Sequence, residues 1–259
     1  LFVCADMLAI SLADRTCLSN PLTLSLLGFA ALTFGGLLWH ERRAANPFLN
    51  LKLFSRRNYI AAVIPISLQA FTQFGLLVSL PVFLIDVNQV EKQLAGLVIM
   101  SMTVMMAVTS PIAGRLTDRI SSRWVCLAGA VLIGLGALLL FVFRSDSMTL
   151  AGWIIFALSL MIFGTGFGAI QSSSTVAAIQ ASPKEISGAA TGFFHMIRFI
   201  SASLGSTVFG ILFEANSQND LTGFYTSFIL IMVLSALTIP FTFWISTRNA
   251  ASDTAVPVD

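Results

Sequence analysis

Charge is what this sequence has least of: Lys and Arg number 14 and Asp and Glu 12 among 259 residues, while 56% of the chain is hydrophobic. Soluble domains carry about a quarter of their residues as charges, so an ordinary water-soluble fold is excluded. The net charge of +2 is small. The Lys and Arg residues sit in short loops rather than in a stripe or tail, which argues against nucleic acid as a partner. Cysteine is scarce and scattered. Cys4, Cys17 and Cys126 form no close pair that could ligate a metal or cycle between thiol and disulfide, and they read as small packing residues. There is no Gly-rich phosphate loop, metal-ligand cluster or nucleophile motif. No cofactor is therefore expected, and ATP-driven chemistry has no support.

What the chain does contain is apolar blocks, at 22–39, 59–85, 94–114, 124–143, 150–178, 188–213 and 223–246. Blocks of about twenty residues cross a hydrocarbon layer of roughly 30 Å as helices. The expected fold class is all-α, a polytopic transmembrane helix bundle with seven complete spans and a partial one. The opening "LFVCADMLAISLA" is too short to span and reads as the tail of a helix whose start is missing. The chain is then expected to be a piece of a longer membrane protein. The connecting segments are all short, so any chemistry belongs in or between the helices.

Basic residues accumulate in short cytoplasmic loops. Loops 40–58, 115–123 and 181–187, with the C-terminal tail, carry Arg42, Arg43, Lys52, Arg56, Arg57, Arg115, Arg119, Arg123, Lys184 and Arg248, whereas the opposite loops carry only Arg15, Lys92 and Arg144. This asymmetry places the C-terminus in the cytoplasm. The expected organisation is 1–39 as two helices, the first truncated, 40–58 as a basic cytoplasmic loop, 59–246 as a six-helix domain and 247–259 as a cytoplasmic tail. The loop 40–58 reads as a domain boundary because its length and its amphipathic "PFLNLKLF" suit an interfacial segment. An ordinary topogenic loop explains its charge equally well.

Residues 114–123, "GRLTDRISSR", join two spans on the basic side. They resemble the G-x-L-x-D-R-x-G-R-[RK] signature of the major facilitator superfamily, in the place of its second-half copy. Gly114, Leu116, Asp118, Arg119 and Arg123 match, whereas Ser121 replaces the second Gly and Ser122 the first Arg. Two further stretches, "ERRAANPFLNLKLFSRRNYIAA" and "SPKEISGAATGFFHMIRFISASLGSTVFG", resemble regions of fourteen-span drug:proton antiporters in that superfamily. In the second, Pro183, Glu185, Gly188, Gly192, Arg198 and Gly205 follow the pattern.

The resemblance implies the C-terminal six-helix half of a major facilitator fold plus central linker helices. It implies proton-coupled export of amphipathic compounds from a bacterial inner membrane, with an absent N-terminal half as the other wall of the substrate path. Gly114, Asp118, Arg119 and Arg123 would form a gating loop, in which Gly permits a tight turn and Asp with Arg ties helix ends together. Solvated topogenic charges are the plain alternative.

Arg198 lies about ten residues inside its span, roughly 15 Å from the helix end, with no acid between Glu185 and Glu214. Arg at mid-membrane costs about 2.5 to 3.5 kcal/mol on insertion scales and usually faces a bundle interior or wet cavity. Helical spacing puts Thr191, His195, Arg198, Ala202 and Gly205 on one face, and Phe193, Ile197, Ile200, Leu204 and Val208 on the other. Arg198 is therefore a transport or coupling candidate, with a structural Arg bonded to carbonyls as the alternative. His195 is a weaker candidate for proton movement, since a lone His in a helix is more often a packing residue. Asp6 is the sole acid inside a predicted span.

Gln69, Thr72 and Gln73, with Pro65 below them, and Gln171 in the stripe of Gly164, Gly168, Gln171 and Thr175 are candidate cavity-lining groups. Interhelical hydrogen bonding is an equally good reading of them. "GTGFG" lies within a span and reads as close-packing glycine. A metabolite carrier, a lipid-modifying membrane enzyme and a non-transporting receptor remain the rival functions.

Overall fold

The computed structural model describes residues 57–142, 150–182, 186–215 and 220–245, with the side chains of 86–87, 142, 150–151, 213–215 and 220–225 left aside. The expected segments 1–39, 40–56 and 247–259, and Asp6 with them, lie outside the described residues. Among the described residues every regular element is helical: α1 (Arg57–Pro81), continued by a π-helical segment (Val82–Val87), α2 (Lys92–Arg119), α3 (Ser122–Val142), α4 (Leu150–Gln180), α5 (Ser187–Ala215) and α6 (Asp220–Thr242). Five of these are long and apolar enough to cross a membrane, and α6 contains the shorter apolar run Thr226–Thr242.

Lipid offers backbone and hydroxyl groups no water, so each must be satisfied within the protein. Many Ser and Thr hydroxyls comply by turning back on their own helix: Ser67 donates to the Val63 carbonyl at 2.8 Å, Thr72 to Leu68 at 2.8 Å, Ser173 to Ala169 at 2.7 Å and Thr191 to Ser187 at 2.9 Å. Pro81 has no N–H to donate, and the chain widens into the π-helical turn directly after it. That turn closes where the Asn88 N–H and side-chain amide both reach the Phe83 carbonyl, at 3.1 and 2.9 Å, and Gln89 adopts φ 53°.

Helix α2 packs most extensively on α4 and α1 on α5, while α3 bridges α4 and α6. Cross-links fix the relative directions. Tyr59 donates to the Ala190 carbonyl at 2.8 Å, Phe71 meets Gly205 and Phe209 meets Gly75, so α1 and α5 run parallel. Arg57 lies over Trp244 and Arg123 over Phe243, which puts the starts of α1 and α3 beside the end of α6. One end of the bundle thus gathers Arg57, Arg115, Arg119 and Arg123. Aromatic side chains fill the interior: Phe83, Phe156, Phe163, Phe167, Phe194, Phe209 and Phe228 are fully buried. Outside, α2 shows a stripe of exposed Leu97, Met100, Val104, Val108 and Ile112 at helical spacing, the face a membrane or another helix layer must cover.

Candidate functional site

The signature predicted as a loop is mostly helix. Gly114 to Arg119 form the last turns of α2, and only Ile120 and Ser121 link it to α3. The physical reason is that nothing after Pro111 interrupts the backbone ladder. Thr117 is buried and returns its hydroxyl to the Ala113 carbonyl at 2.7 Å, and the Ile120 N–H still reaches the Leu116 carbonyl at 2.9 Å. Gly114 therefore makes no turn. Its missing Cβ instead admits Ser172 of α4, whose hydroxyl would lie 3.0 Å from such an atom.

The turn falls on Ser121, at φ 141°, where the superfamily signature has glycine. Its hydroxyl offers the Arg123 N–H a long contact of 3.4 Å. Asp118 and Arg119 are exposed on α2, and the Arg123 guanidinium lies 4.4 Å from the Phe243 ring centroid.

Deeper in the bundle, two predicted groups meet. Arg198 of α5 donates from Nη2 to Gln171 Oε1 of α4 at 3.1 Å, and its Nε is buried without a hydrogen-bond partner. The polar partner of the mid-span charge is thus a neutral amide of this same chain. On α1, Gln69 donates to Gln73 at 2.7 Å and Gln73 donates to the Met106 sulfur of α2 at 3.2 Å. Gln69, Thr72 and Gln73 are all buried, and Gln69 Oε1 has no partner. Met106 in turn faces Gly168 on α4, one turn from Gln171. The amide pair and the Arg198–Gln171 pair therefore occupy nearly the same depth, within about one helical turn or roughly 5 Å.

The single polar face expected on α5 is divided. Ala202 and Gly205 are buried, and Gly205 lies against the Phe71 backbone of α1, while Arg198 turns to α4. His195 is half-buried and sits edge-on to Phe194, with ring centroids 5.5 Å apart. Phe193 and Ile197, placed on the greasy face, pack on the core, whereas Leu204 and Val208 are exposed. A helix gripped by two neighbours divides its polar and small face between them, which the spacing on α5 alone does not reveal.

Glycines on α4 act as packing sites on both sides. Gly164 and Gly168 accept the α2 backbone at Met102 and Met106, and Gly166 accepts the α3 backbone at Gly129. Sequence reasoning missed Met106 as an acceptor and the pairing of Arg57 and Arg123 with aromatic rings. The clustering of Phe241, Phe243 and Trp244 at the end of the last apolar block was the available signal for the second.

The model of the Major Facilitator Superfamily matches residues 62–258 of this chain. Over 195 residues the chain is 31% identical to the multidrug resistance protein Stp of Mycobacterium tuberculosis, covering 74% of this chain and 35% of Stp. It is 26% identical over 190 residues to the tetracenomycin C resistance and export protein of Streptomyces glaucescens, covering 73% and 35%. With the riboflavin transporter RibZ of Clostridioides difficile it shares 27% over 188 residues, covering 72% and 40%. The chain spans 35 to 40% of the length of these relatives.

Proposed function

We propose that this chain, which belongs to the major facilitator superfamily, forms the C-terminal wall of a secondary transporter that exports amphipathic small molecules in exchange for protons. The observation that carries the reading is Arg198. A guanidinium held at mid-span by one neutral amide, with Nε buried and unpaired, is an unfinished site rather than a structural ion pair. Transporters of this kind place substrate and coupling groups near the midplane between two halves, and alternate access by rocking one half against the other.

In this reading Arg198 orients the cargo or couples its movement to protons, and Gln171 holds the guanidinium in place. His195 assists. Gln69, Thr72 and Gln73 supply adaptable polar contact, Asp118, Arg119 and Arg123 flank the turn at Ile120 and Ser121 and gate the cytoplasmic side, and Gly114 seats the end of α2 on α4. The energy comes from the proton gradient, without a cofactor, and the other wall is an N-terminal half of the same protein in an inner membrane. Relatives named for multidrug resistance and for export of an antibiotic support the export reading. A relative named as a riboflavin transporter favours a second one, carriage of a single metabolite.

The test is efflux from cells making the full-length protein, comparing wild type with Arg198→Ala and Asp118→Ala at matched membrane abundance. The expected result is proton-dependent efflux of several amphipathic dyes by wild type and its loss in the Arg198 variant. Unchanged efflux in both variants would remove these site assignments. Efflux of no dye, with uptake or release of one metabolite, would favour the second reading.

A further inference from the structure

At the basic end of the bundle, two arginines are mounted on adjacent aromatic residues. Arg57 at the start of α1 lies with Cζ 4.6 Å from the Trp244 ring centroid, and Arg123 on α3 lies 4.4 Å from that of Phe243. Phe243 and Trp244 belong to the turn that ends α6 and are about half exposed, as is Trp124 beside Arg123. From this juxtaposition we infer a binding site for one anionic phospholipid headgroup, formed by Arg57, Arg123, Phe243 and Trp244 where α1, α3 and α6 meet.

The chemistry follows from what a cation–π contact uses and what it leaves. The ring face holds a guanidinium by its charge but accepts none of its N–H bonds. Each arginine is therefore oriented by its ring contact without spending its donors there, and Arg123 Nε has no hydrogen-bond partner. Planar guanidinium edges match phosphodiester oxygens two at a time. The depth also matches. A Trp that ends a spanning helix, as Trp244 does, sits at headgroup level, where a phosphate, not water alone, meets the donors.

Charge decides between headgroups. Among the described residues this end carries Arg57, Arg115, Arg119 and Arg123 against Asp118, which lies exposed on α2. A net positive pocket between helix ends on the basic side favours an anionic over a zwitterionic lipid. The site is distinct from the mid-span Arg198 layer and does not depend on what the protein transports.

The test is native mass spectrometry of the full-length protein purified in detergent, titrated with phosphatidylglycerol and with phosphatidylcholine of the same acyl chains. Wild type is expected to retain one phosphatidylglycerol in preference to phosphatidylcholine. Arg123→Gln should weaken that retention by about fivefold, the scale of one basic residue at a lipid surface. Arg115→Gln removes equal charge from exposed α2, outside the aromatic-mounted pair, and should weaken retention far less than Arg123→Gln does. Arg123→Lys keeps the charge without the planar edge and should fall between. If Arg123→Gln fails to fold, Arg57→Gln at the exposed start of α1 makes the same comparison. Equal loss in the Arg115 and Arg123 variants, or equal retention of both lipids by wild type, overturns the site in favour of diffuse attraction.

Discussion

Arg198 and Gln171 form a contact between a charge and a dipole, and the size of that contact sets what each substitution should do. A hydrogen bond to a charged group contributes about 1.5 to 3 kcal/mol, so under the proposed function Gln171→Ala, which strands the guanidinium, should reduce efflux by about tenfold to a hundredfold at matched abundance. Gln171→Glu replaces the dipole with a full counter-charge. It should preserve membrane abundance yet depress efflux, because an arginine locked in an ion pair is no longer available to cargo. Efflux at the wild-type rate in both variants would reduce Arg198 to a structural group. Ser121 presents the opposite case, a residue whose backbone opposes its side chain. At φ 141° a Cβ is strained, so Ser121→Gly should raise the thermal midpoint of the purified protein, corresponding to about 1 kcal/mol. The hydroxyl lost, a 3.4 Å contact with the Arg123 N–H, is too long to offset that gain. A lowered midpoint would mean that the turn relaxes around serine.

Between elements, the decisive feature is how closely backbones approach. Gly205 touches the α1 backbone at Phe71, and Gly164 the α2 backbone at Met102, so a side chain at either site must push two helices apart. Gly205→Val should cost about 1 to 3 kcal/mol and lower membrane abundance. Gly192→Ala on the same helix meets nothing within 4 Å and should be neutral or stabilising by up to about 1 kcal/mol. Equal abundance of the two variants, read by in-gel fluorescence, would argue against tight α1–α5 packing. Part of this was legible, since the glycines of "GTGFG" announced close approach on α4. Which neighbour each would touch was not, because a repeat on one helix carries no information about the partner. The same limit explains the helical signature: its charges looked like loop, whereas continuity of the backbone ladder decided the matter.

For the whole molecule, alternating helix direction gathers the starts of α1, α3 and α5 and the ends of α2, α4 and α6 at one side. In a protein freed of cysteine, Ser182→Cys should react with an impermeant maleimide only after the membrane is opened, while Asn88→Cys should react in intact cells. Labelling of both from outside would refute the assigned orientation. The exposed apolar stripe on α2 belongs to this scale too, since a bundle spanning a membrane needs no polar coat where lipid or a second half covers it.

By itself the sequence determined the class of molecule and, among the described residues, the positions of the spans, and its loop charge sets the direction expected of them. Those follow from hydropathy, length and loop charge, all properties a chain carries locally. It also singled out Arg198, because a mid-span charge is costly wherever it ends up. Only the tertiary structure decided that Arg198 meets Gln171 across 27 positions of chain, that Gln73 reaches Met106, and that Arg57 and Arg123 lie on the rings ending α6. Each of these joins residues on different helices, and the packing angle and depth that bring them together are set by the sum of side-chain contacts rather than by any one stretch.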